Sequence, residues 1–379
     1  MTSELSSLCS YAKGKVSVDT LSKRNYVSTE NMMPNKGGIV DAGALPSAQY
    51  TQQYIKDDIL VSNIRPYFKK IWMADDDGGC SNDVLVFRAD RGCDSTFLYY
   101  ILANDAFFNY ASATSKGTKM PRGDKTAIMQ YKVPCFNYET QLRIGKLLRS
   151  IDDRIAVNKK INDNLQQQLF SLYENMATAS PCLKEYPLSN LCDFQEGYVN
   201  PPQTHPEYFD GEVKWLRAVD INESFIIETS RTLTKAGFES AKKSALLFEP
   251  NTIAISKSGT IGRLGIIADY MCGNRAVINI APHDTNMLAF IYCFLKSKQR
   301  EFPDMAVGSV QKNLYVSLLE PLSVSIPDNE SLTAFNVVGA SILGMIHNNC
   351  VENTDLANLR DTILPKLMSG EIDVSSVLL

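Results

Sequence analysis

Two long stretches of the sequence carry the same hydrophobic pattern, and this repeat limits the possible folds more than any other feature. One stretch follows Pro134 and the other follows Pro327, and in each of them apolar residues recur at alternating spacings of four and three. Such spacing predicts one apolar stripe along a long helix. Six positions match after a shift of 191 residues, with Ile151, Ile155, Asn158, Asn162, Leu165 and Leu172 corresponding to Ile342, Ile346, Asn349, Asn353, Leu356 and Ile363.

The two stretches predict a pair of helices that pack on each other. The first would run from about Glu139 to Met176 and be about 57 Å long at 1.5 Å per residue. The second would run from about Glu330 to Leu367, with Pro365 ending it. If a pseudo-twofold relates the halves of the chain, the helices are antiparallel and can hold two copies of one activity a set distance apart.

The asparagines within the stripe have two interpretations. Buried asparagines lower stability but fix the register and orientation of paired helices. Alternatively, they lie on a flank of each helix and contact water. We favour the register role, and the residues concerned are Asn158, Asn162, Asn349 and Asn353.

The segments before the two helices resemble each other as well. In the first half, the β-forming run Asp58–Ser62 leads through basic residues to a small-residue turn before Asp83. In the second half, Thr252–Ser256 leads through basic residues to a similar turn at Asn274. A third matched segment precedes each helix, at 116–122 and at 308–313. We therefore predict an α+β fold with two mixed α/β domains, an internal repeat and two long antiparallel coiled-coil helices, divided into residues 1–133, 134–178, 179–324 and 325–379.

Composition narrows the classes of function. The chain has 379 residues, too many for one ordinary core, and 44% of them are hydrophobic, without a run of roughly 20 apolar residues that could span a bilayer. Met1–Ser10 has no secretion signal, so we expect a cytoplasmic protein. The nine cysteines form no C-x-x-C pair, and the three histidines are far apart. Reduced cysteines and no metal site are expected.

The overall charge does not indicate nucleic-acid binding. The net charge is −4 and the pI is about 5.6, whereas DNA-binding domains are usually basic. Any DNA-binding surface must then be local, and basic clusters occur at 65–70, 116–125 and 257–263. A solvated charged loop is the alternative for each cluster.

Two short motifs are similar to those of enzymes, but each lacks a residue that the chemistry requires. Asn200-Pro-Pro-Gln203 is similar to the motif with which adenine methyltransferases hold a flipped base, but Gln203 stands where that motif has an aromatic residue. Ser258–Gly262 lacks the Gly-Lys-Ser/Thr ending of a phosphate-binding loop. We find no reaction centre and expect a protein that is not an enzyme.

Taken together, four segments resemble the specificity subunit of type I restriction-modification systems. They are Tyr26–Met32, Asp58–Tyr67, Gly79–Asp83 and Lys116–Arg122. The resemblance covers essentially the whole chain. It implies two target recognition domains, each reading one half of a bipartite double-stranded DNA target in the major groove, about 34 Å apart if they read one face. It also implies that the two conserved spacer helices set the spacing and dock two methyltransferase subunits.

The resemblance places all chemistry in partner subunits. Two methyltransferase subunits would supply adenine methylation with S-adenosylmethionine, and motor-nuclease subunits, where present, would add ATP- and Mg²⁺-dependent cleavage. This chain would need no cofactor. For DNA contact we predict the polar residues of the matched loops, namely Ser62, Asn63, Arg65, Lys69, Lys70, Lys116, Thr118, Lys119, Arg122, Ser256, Lys257, Ser258, Thr260, Arg263, Asn274, Arg275, Gln311, Lys312 and Asn313.

Two other functions remain as alternatives. A structural coiled-coil scaffold would use the helices without reading DNA, but it leaves the paired basic loops unexplained. A self-contained adenine methyltransferase would need a glycine-rich loop after a strand, which no segment has.

Overall fold

The computed structural model describes residues 2–179, 184–309 and 311–375. They form two compact units. Unit 1 comprises the described parts of Met1–Arg154 and Leu356–Leu379, and unit 2 comprises those of Ile155–Asp355. Each unit has its own hydrophobic core.

Unit 1 is built from short strands covered by helices. Its antiparallel sheet has the order β2-β9-β6-β7, a second sheet has the order β3-β5-β8-β4, and β1 pairs with β10. The strands are β1 (Thr2–Glu4), β2 (Cys9–Tyr11), β3 (Lys15–Ser17), β4 (Tyr26–Val27), β5 (Tyr50–Tyr54), β6 (Ile59–Ser62), β7 (Ile71–Met73), β8 (Gly78–Cys80), β9 (Val84–Ala89) and β10 (Lys132–Pro134). The helices are α1 (Ser95–Ala103), α2 (Asp105–Ala113), α3 (Lys125–Met129) and the start of α4 (Tyr138–Ala179).

Strand β6 is apolar at consecutive positions because both of its faces are covered. Ile59 and Val61 lie in the core shared with α1 and α2, whereas Leu60 lies in a second cluster with Tyr54 and Val86. A strand buried on both faces reads as a continuous apolar run rather than an alternating one. The C-terminal end of β6, at Ser62, is therefore held rigidly by packing on both faces.

Unit 2 repeats this plan with a larger main sheet. The sheet has the order β12-β19-β16-β17-β14, a three-stranded sheet has the order β15-β13-β18, and β11 pairs with β20. The strands are β11 (Lys184–Pro187), β12 (Cys192–Glu196), β13 (Phe209–Leu216), β14 (Phe225–Ile226), β15 (Thr232–Leu233), β16 (Ile253–Ser256), β17 (Leu264–Ile267), β18 (Cys272–Gly273), β19 (Val277–Pro282) and β20 (Ser323–Ile326). The helices are α5 (Lys235–Glu239), α6 (Leu288–Lys298), α7 (Phe302–Met305), α8 (Val316–Leu319) and α9 (Asn329–Ser369).

Helices α4 and α9 pack antiparallel within each unit. In unit 1, Ile144 and Leu148 share a core with Leu364 and Leu367. In unit 2, Leu169 shares a core with residues much earlier in α9, namely Phe335, Ile342, Leu343 and Ile346. The predicted α+β class, with a repeated domain and two long antiparallel helices, is confirmed.

The prediction that Pro365 ends the second helix is wrong. Helix α9 continues through Pro365 to Ser369. A proline inside a helix removes one backbone hydrogen bond, and here the burial of Leu364 and Leu367 on either side of it, in the core of unit 1, offsets that loss. The helix ends at Gly370, whose φ of +76° places it in the left-handed region typical of a helix C-terminus.

The described cysteines form no disulfide, and several are deeply buried. Burial raises the pKa of the Cys80 thiol to about 12, with the Asp58 carboxylate adding to the shift. Cys182 lies outside the described residues. In the part of the chain that the structure describes, no helix is both long and apolar enough to cross a membrane.

Candidate nucleic-acid interface

Three segments of unit 1 meet where β6 ends. The Asn63 N–H donates to the Asp83 carbonyl at 2.8 Å, and the Asn63 carbonyl accepts from the Gly123 N–H at 3.1 Å. The Arg65 N–H donates to the Pro121 carbonyl at 2.8 Å. The segments 62–70, 79–83 and 116–122, which are far apart in the sequence, therefore form one surface.

Unit 2 makes the same backbone arrangement. The Lys257 N–H donates to the Ala276 carbonyl at 2.7 Å, and the Lys257 carbonyl accepts from the Leu314 N–H at 2.9 Å. The loop before α8 is closed by a bridge between Val307 and Asn313. In unit 1 the corresponding loop is closed by a bridge between Lys116 and Arg122, at positions 191 residues earlier.

The two strand-end serines are buried beneath their loops. The Ser62 hydroxyl donates to the Ile64 carbonyl at 3.0 Å. The Ser256 hydroxyl donates to the Thr260 carbonyl at 2.5 Å and accepts from the Arg263 N–H at 2.8 Å. In this conformation both side chains hold a turn in place, and their contact with DNA stays a prediction.

Two predicted asparagines are also buried or partly buried, and one of them caps a turn. Asn63 is buried, and its side-chain oxygen has no hydrogen-bond partner among the described residues. Asn274 accepts from the Ala276 N–H at 3.0 Å, which caps the turn before β19. The sequence could not separate these supporting residues from exposed ones, because Asn serves both purposes.

The exposed cations of unit 1 differ in how far they are neutralised. Lys116 pairs with Asp124 at 2.5 Å although its side chain is 81% exposed, and Arg122 pairs with Asp83 at 3.0 Å. The Lys116 hydrogen bond is the main reason that the pKa of Asp124 lies below its ordinary value. Arg65, Thr118 and Lys119 are all exposed. The two cations of this set, Arg65 and Lys119, have no acidic partner among the described residues.

Lys69 and Lys70 are held in place by other parts of unit 1. Lys69 pairs with Asp105 at 2.8 Å, and Lys36, which sequence reasoning missed, pairs with the same carboxylate at 3.0 Å. Burial alone would raise the pKa of Asp105, but hydrogen bonds from the two lysines outweigh it and lower the pKa. Lys70 donates to the Thr29 carbonyl at 2.6 Å, and burial lowers its pKa.

An aromatic pair extends this surface. Tyr67 and Phe68 have their ring centroids 4.8 Å apart and are 52% and 39% exposed. The short 3-10 helix that carries them, Pro66–Phe68, lies between Arg65 and Lys69, whose φ values of +50° and +51° are left-handed. Non-glycine residues in this region are uncommon and cluster at functional sites. The Pro-Tyr-Phe sequence is the signal that indicates this pair, whereas the sequence predicts DNA contact only for the cations beside it.

In unit 2 the predicted residues divide similarly. Lys257 is only 13% exposed, pairs with Glu196 at 2.9 Å and lies 4.9 Å from the ring centroid of Tyr315. Asn313 donates to the Gln311 carbonyl at 3.1 Å. Arg263 and Ser258 are half-buried, whereas Thr260, Arg275, Gln311 and Lys312 are exposed.

One hydrogen-bond network joins the loop at 257–263 to the helices of unit 2. Gln166 of α4 donates to the Glu223 carbonyl at 3.0 Å, and Lys296 of α6 pairs with the Glu223 carboxylate at 2.5 Å. Gln299 donates to both oxygens of that carboxylate and, at 2.9 Å, to the Gly262 carbonyl. Glu223 therefore links α4, through Gln299, to a predicted DNA-contacting loop.

The four asparagines of the helix stripe meet within unit 2. Asn158, only 1% exposed, donates to Asn353 at 3.1 Å and to Glu352 at 2.8 Å. Asn349 donates to Asn162 at 2.8 Å, and Asn162 in turn donates to the Ile346 carbonyl at 3.4 Å. These hydrogen bonds between α4 and α9 all form in this one alignment of the two helices.

Metal-ion chemistry has no candidate residues in the described ranges. No group of three or more His, Cys, Asp or Glu side chains there lies close enough to hold a metal ion. The polar residues that converge are instead amides, hydroxyls and cations at the ends of strands. Side chains of these types hydrogen-bond phosphates and base edges.

The chain is similar to known proteins over most of its length. The family model described as "Type I restriction modification DNA specificity domain" matches residues 1–167 and again residues 183–355. The chain is 24% identical over 309 residues to the MjaIX type I restriction enzyme specificity subunit of Methanocaldococcus jannaschii, covering 76% of this chain and 71% of that one. It is 27% identical over 176 residues to the HindI specificity subunit of Haemophilus influenzae, covering 45% and 38% of the two chains.

A solved structure has the same fold. The type I restriction-modification S subunit from M. genitalium superposes with a TM-score of 0.57 at 18% identity, covering 97% of this chain and 96% of that one. Because the family model matches both halves, and so most of the sequence, the chain belongs to the type I restriction-modification specificity-subunit family.

Proposed function

We propose that this chain recognises a bipartite double-stranded DNA target, with unit 1 reading one half and unit 2 the other. The observation that supports this most is the repeated backbone arrangement at the ends of β6 and β16, which presents different side chains in the two units. A shared frame with different side chains suits two half-sites of different sequence. The chain itself would be non-catalytic.

The exposed loop residues are the proposed DNA contacts. In unit 1, Arg65 and Lys119 would bind phosphates or guanine edges, with Tyr67 and Phe68 as apolar neighbours. Arg122, which is exposed, would do so by exchanging its ion pair with Asp83 for one with DNA. In unit 2, Arg275, Gln311 and Lys312 have the same role. Ser62, Asn63, Ser256, Lys257 and Asn274 would position these loops.

The helices are the proposed spacers and docking elements. We assign target recognition to 1–133 and 179–324 and spacing to 134–178 and 325–379, with the asparagines of the stripe fixing the register. Two methyltransferase subunits using S-adenosylmethionine, and in a restriction complex ATP-driven motor-nuclease subunits, would bring the chemistry. The complex would act on DNA in the cytoplasm.

The test is adenine methylation mapped by single-molecule sequencing in cells that hold this chain and its methyltransferase partner. Deleting residues 180–379 would be a poor variant, since Leu364 and Leu367 belong to the core of unit 1. Point variants are better. Arg65→Ala should weaken or relax one half of the methylated motif, and Arg275→Ala should do so at the other half.

The outcomes separate the candidate functions. A two-part motif that responds half by half supports the proposal. A continuous motif, or equal changes of both halves in either variant, contradicts it. A scaffold without DNA readout predicts that purified complexes bind DNA equally well with both substitutions.

A further inference from the structure

An arginine beside the three-stranded sheet of unit 2 lies over an aromatic ring and is not among the predicted DNA contacts. The Arg231 guanidinium lies 4.2 Å from the ring centroid of Phe209. It donates to the side-chain oxygen of Gln203 at 3.0 Å. Among the described residues, no carboxylate lies within ion-pair distance of it, so its charge is not neutralised.

The surroundings of this pair connect it to the candidate interface. Phe209 begins β13, and Arg231 immediately precedes β15, the strand that pairs with β13. The other neighbour of β13 is β18, which leads directly into Asn274 and Arg275. The Asn274 N–H donates to the Leu216 carbonyl of β13 at 2.9 Å. One small sheet therefore carries both the Arg231 pair and a predicted DNA-contacting turn.

A nearby arginine provides a contrast. The Arg217 guanidinium also lies near an aromatic ring, 5.6 Å from the ring centroid of Trp215, but a carboxylate oxygen of Asp220 lies 3.6 Å from it. It also donates to the Ser230 hydroxyl at 2.5 Å. Arg217 thus has a carboxylate partner within the unit, whereas Arg231 has none within ion-pair distance in the described chain and keeps N–H donors beyond the one that Gln203 accepts.

The chemistry of the pair suits a base edge. An arginine fork matches the O6 and N7 acceptors of guanine, and the contact with Phe209 and the hydrogen bond to Gln203 hold the guanidinium in position before binding. The same fork can bind two oxygens of a phosphate, but only a base contact depends on the DNA sequence. Gln203, which ends the Asn-Pro-Pro-Gln turn and is exposed, adds an amide N–H₂ donor beside the fork.

We propose that Arg231, oriented by Phe209 and Gln203, reads a guanine in the major groove of the half-site bound by unit 2. This proposal rests on the proposed function and adds a residue and a base to it. It also accounts for the Gln203 motif without any methyltransferase chemistry.

The experiment is binding of the purified complex of this chain with its methyltransferase subunits to a randomised DNA library at several salt concentrations. The variants are Arg231→Lys, Arg231→Ala and Gln203→Ala. Lys235→Ala is the matched control, because Lys235 is an exposed cation of the same unit that pairs with Glu239. Thermal unfolding of each variant shows whether unit 2 still folds.

Arg231→Lys is the decisive variant because it keeps the charge and loses the fork. We expect it to reduce discrimination at one guanine by about 5- to 150-fold, with the slope of affinity against salt unchanged. Arg231→Ala should lose the same discrimination. Gln203→Ala should lose part of it, and Lys235→Ala none.

Two results would overturn the proposal. Full discrimination in folded Arg231→Lys and Arg231→Ala means that Arg231 only holds the 200–203 turn. A reduced salt slope in Arg231→Ala with uniform loss over all sequences means a phosphate contact. In both cases a bipartite motif in the unmodified complex still supports the proposed function, whereas its absence there contradicts the proposed function itself.

Discussion

Units 1 and 2 share a backbone frame, but they anchor it to the long helices by different chemistry. In unit 1, Asp152 of α4 accepts from the Tyr100 hydroxyl at 2.6 Å and pairs with Arg360 of α9 at 2.5 Å. In unit 2, Gln166 of α4 donates to the main-chain carbonyl of Glu223, and the Glu223 carboxylate pairs with Lys296 of α6 and accepts from Gln299, which follows α6. A fold can thus be repeated while the polar contacts that fix it are not.

The two anchors also differ in exposure. Asp152 and Arg360 are 26% and 22% exposed, and burial followed by the adjacent Asp152 charge raises the pKa of Tyr100. Glu223 and Lys296 are 36% and 32% exposed. Ion pairs weaken with exposure to water, so we expect the anchor of unit 1 to be the stronger one.

The largest expected effect tests whether the two cores are independent. Leu367→Ala should destabilise unit 1 by about 2–5 kcal/mol, because Leu367 is fully buried in its core, and should leave unit 2 unaffected. Leu169→Ala should do the reverse. Hydrogen exchange resolved by peptide measures each unit separately, and equal loss of protection in both units would show one cooperative core instead.

The next effect compares the anchors directly. Asp152→Asn should lower the stability of unit 1 by about 1–3 kcal/mol. The substitution keeps the size of the side chain but removes the negative charge that accepts hydrogen bonds from the buried Tyr100 and the partly buried Arg360. Glu223→Gln should cost unit 2 less than about 1 kcal/mol, because its partners are more exposed. Hydrogen exchange followed at increasing denaturant concentration measures the stability of each unit in both variants. A larger loss of stability in Glu223→Gln than in Asp152→Asn would contradict the expectation that the anchor of unit 1 is the stronger one.

A smaller effect concerns DNA affinity. Lys119→Ala should weaken binding severalfold and lower the salt slope by about one, because Lys119 is exposed and has no acidic partner in the described chain. Lys257→Ala should leave the salt slope unchanged, since Glu196 already neutralises Lys257. Fluorescence anisotropy of DNA binding at several salt concentrations measures both slopes. Equal slopes for the two variants would contradict the distinction between Lys119 and the neutralised Lys257.

The smallest effect is at the helix pair. Asn349→Ala should destabilise unit 2 by about 0.5–1 kcal/mol, because a single half-exposed hydrogen bond to Asn162 is lost. Ser341→Ala, on the exposed side of α9, is the control. Thermal unfolding measures the difference, and equal stability of the two variants would remove the energetic role of Asn349.

The sequence predicted the architecture because periodicity carries that information. The stripes around Leu148 and Leu169 and the buried strand ending at Ser62 are visible as spacings of residues. Contacts between residues far apart in the sequence are not visible in this way. Glu196 pairs with Lys257 and Phe209 contacts Arg231, and no local pattern indicates either pair. The prediction at Pro365 failed for a similar reason, since local propensity gave way to burial of Leu364 and Leu367.

The composition of unit 1 has a consequence for synthesis on the ribosome. Its core includes Leu364, Leu367 and Val374, which are translated after every residue of unit 2. The unit that begins first therefore completes its core last, with unit 2 able to fold in between. If unit 2 were replaced by the corresponding unit of another chain, the end of α9 would have to be preserved, because that segment completes the core of unit 1.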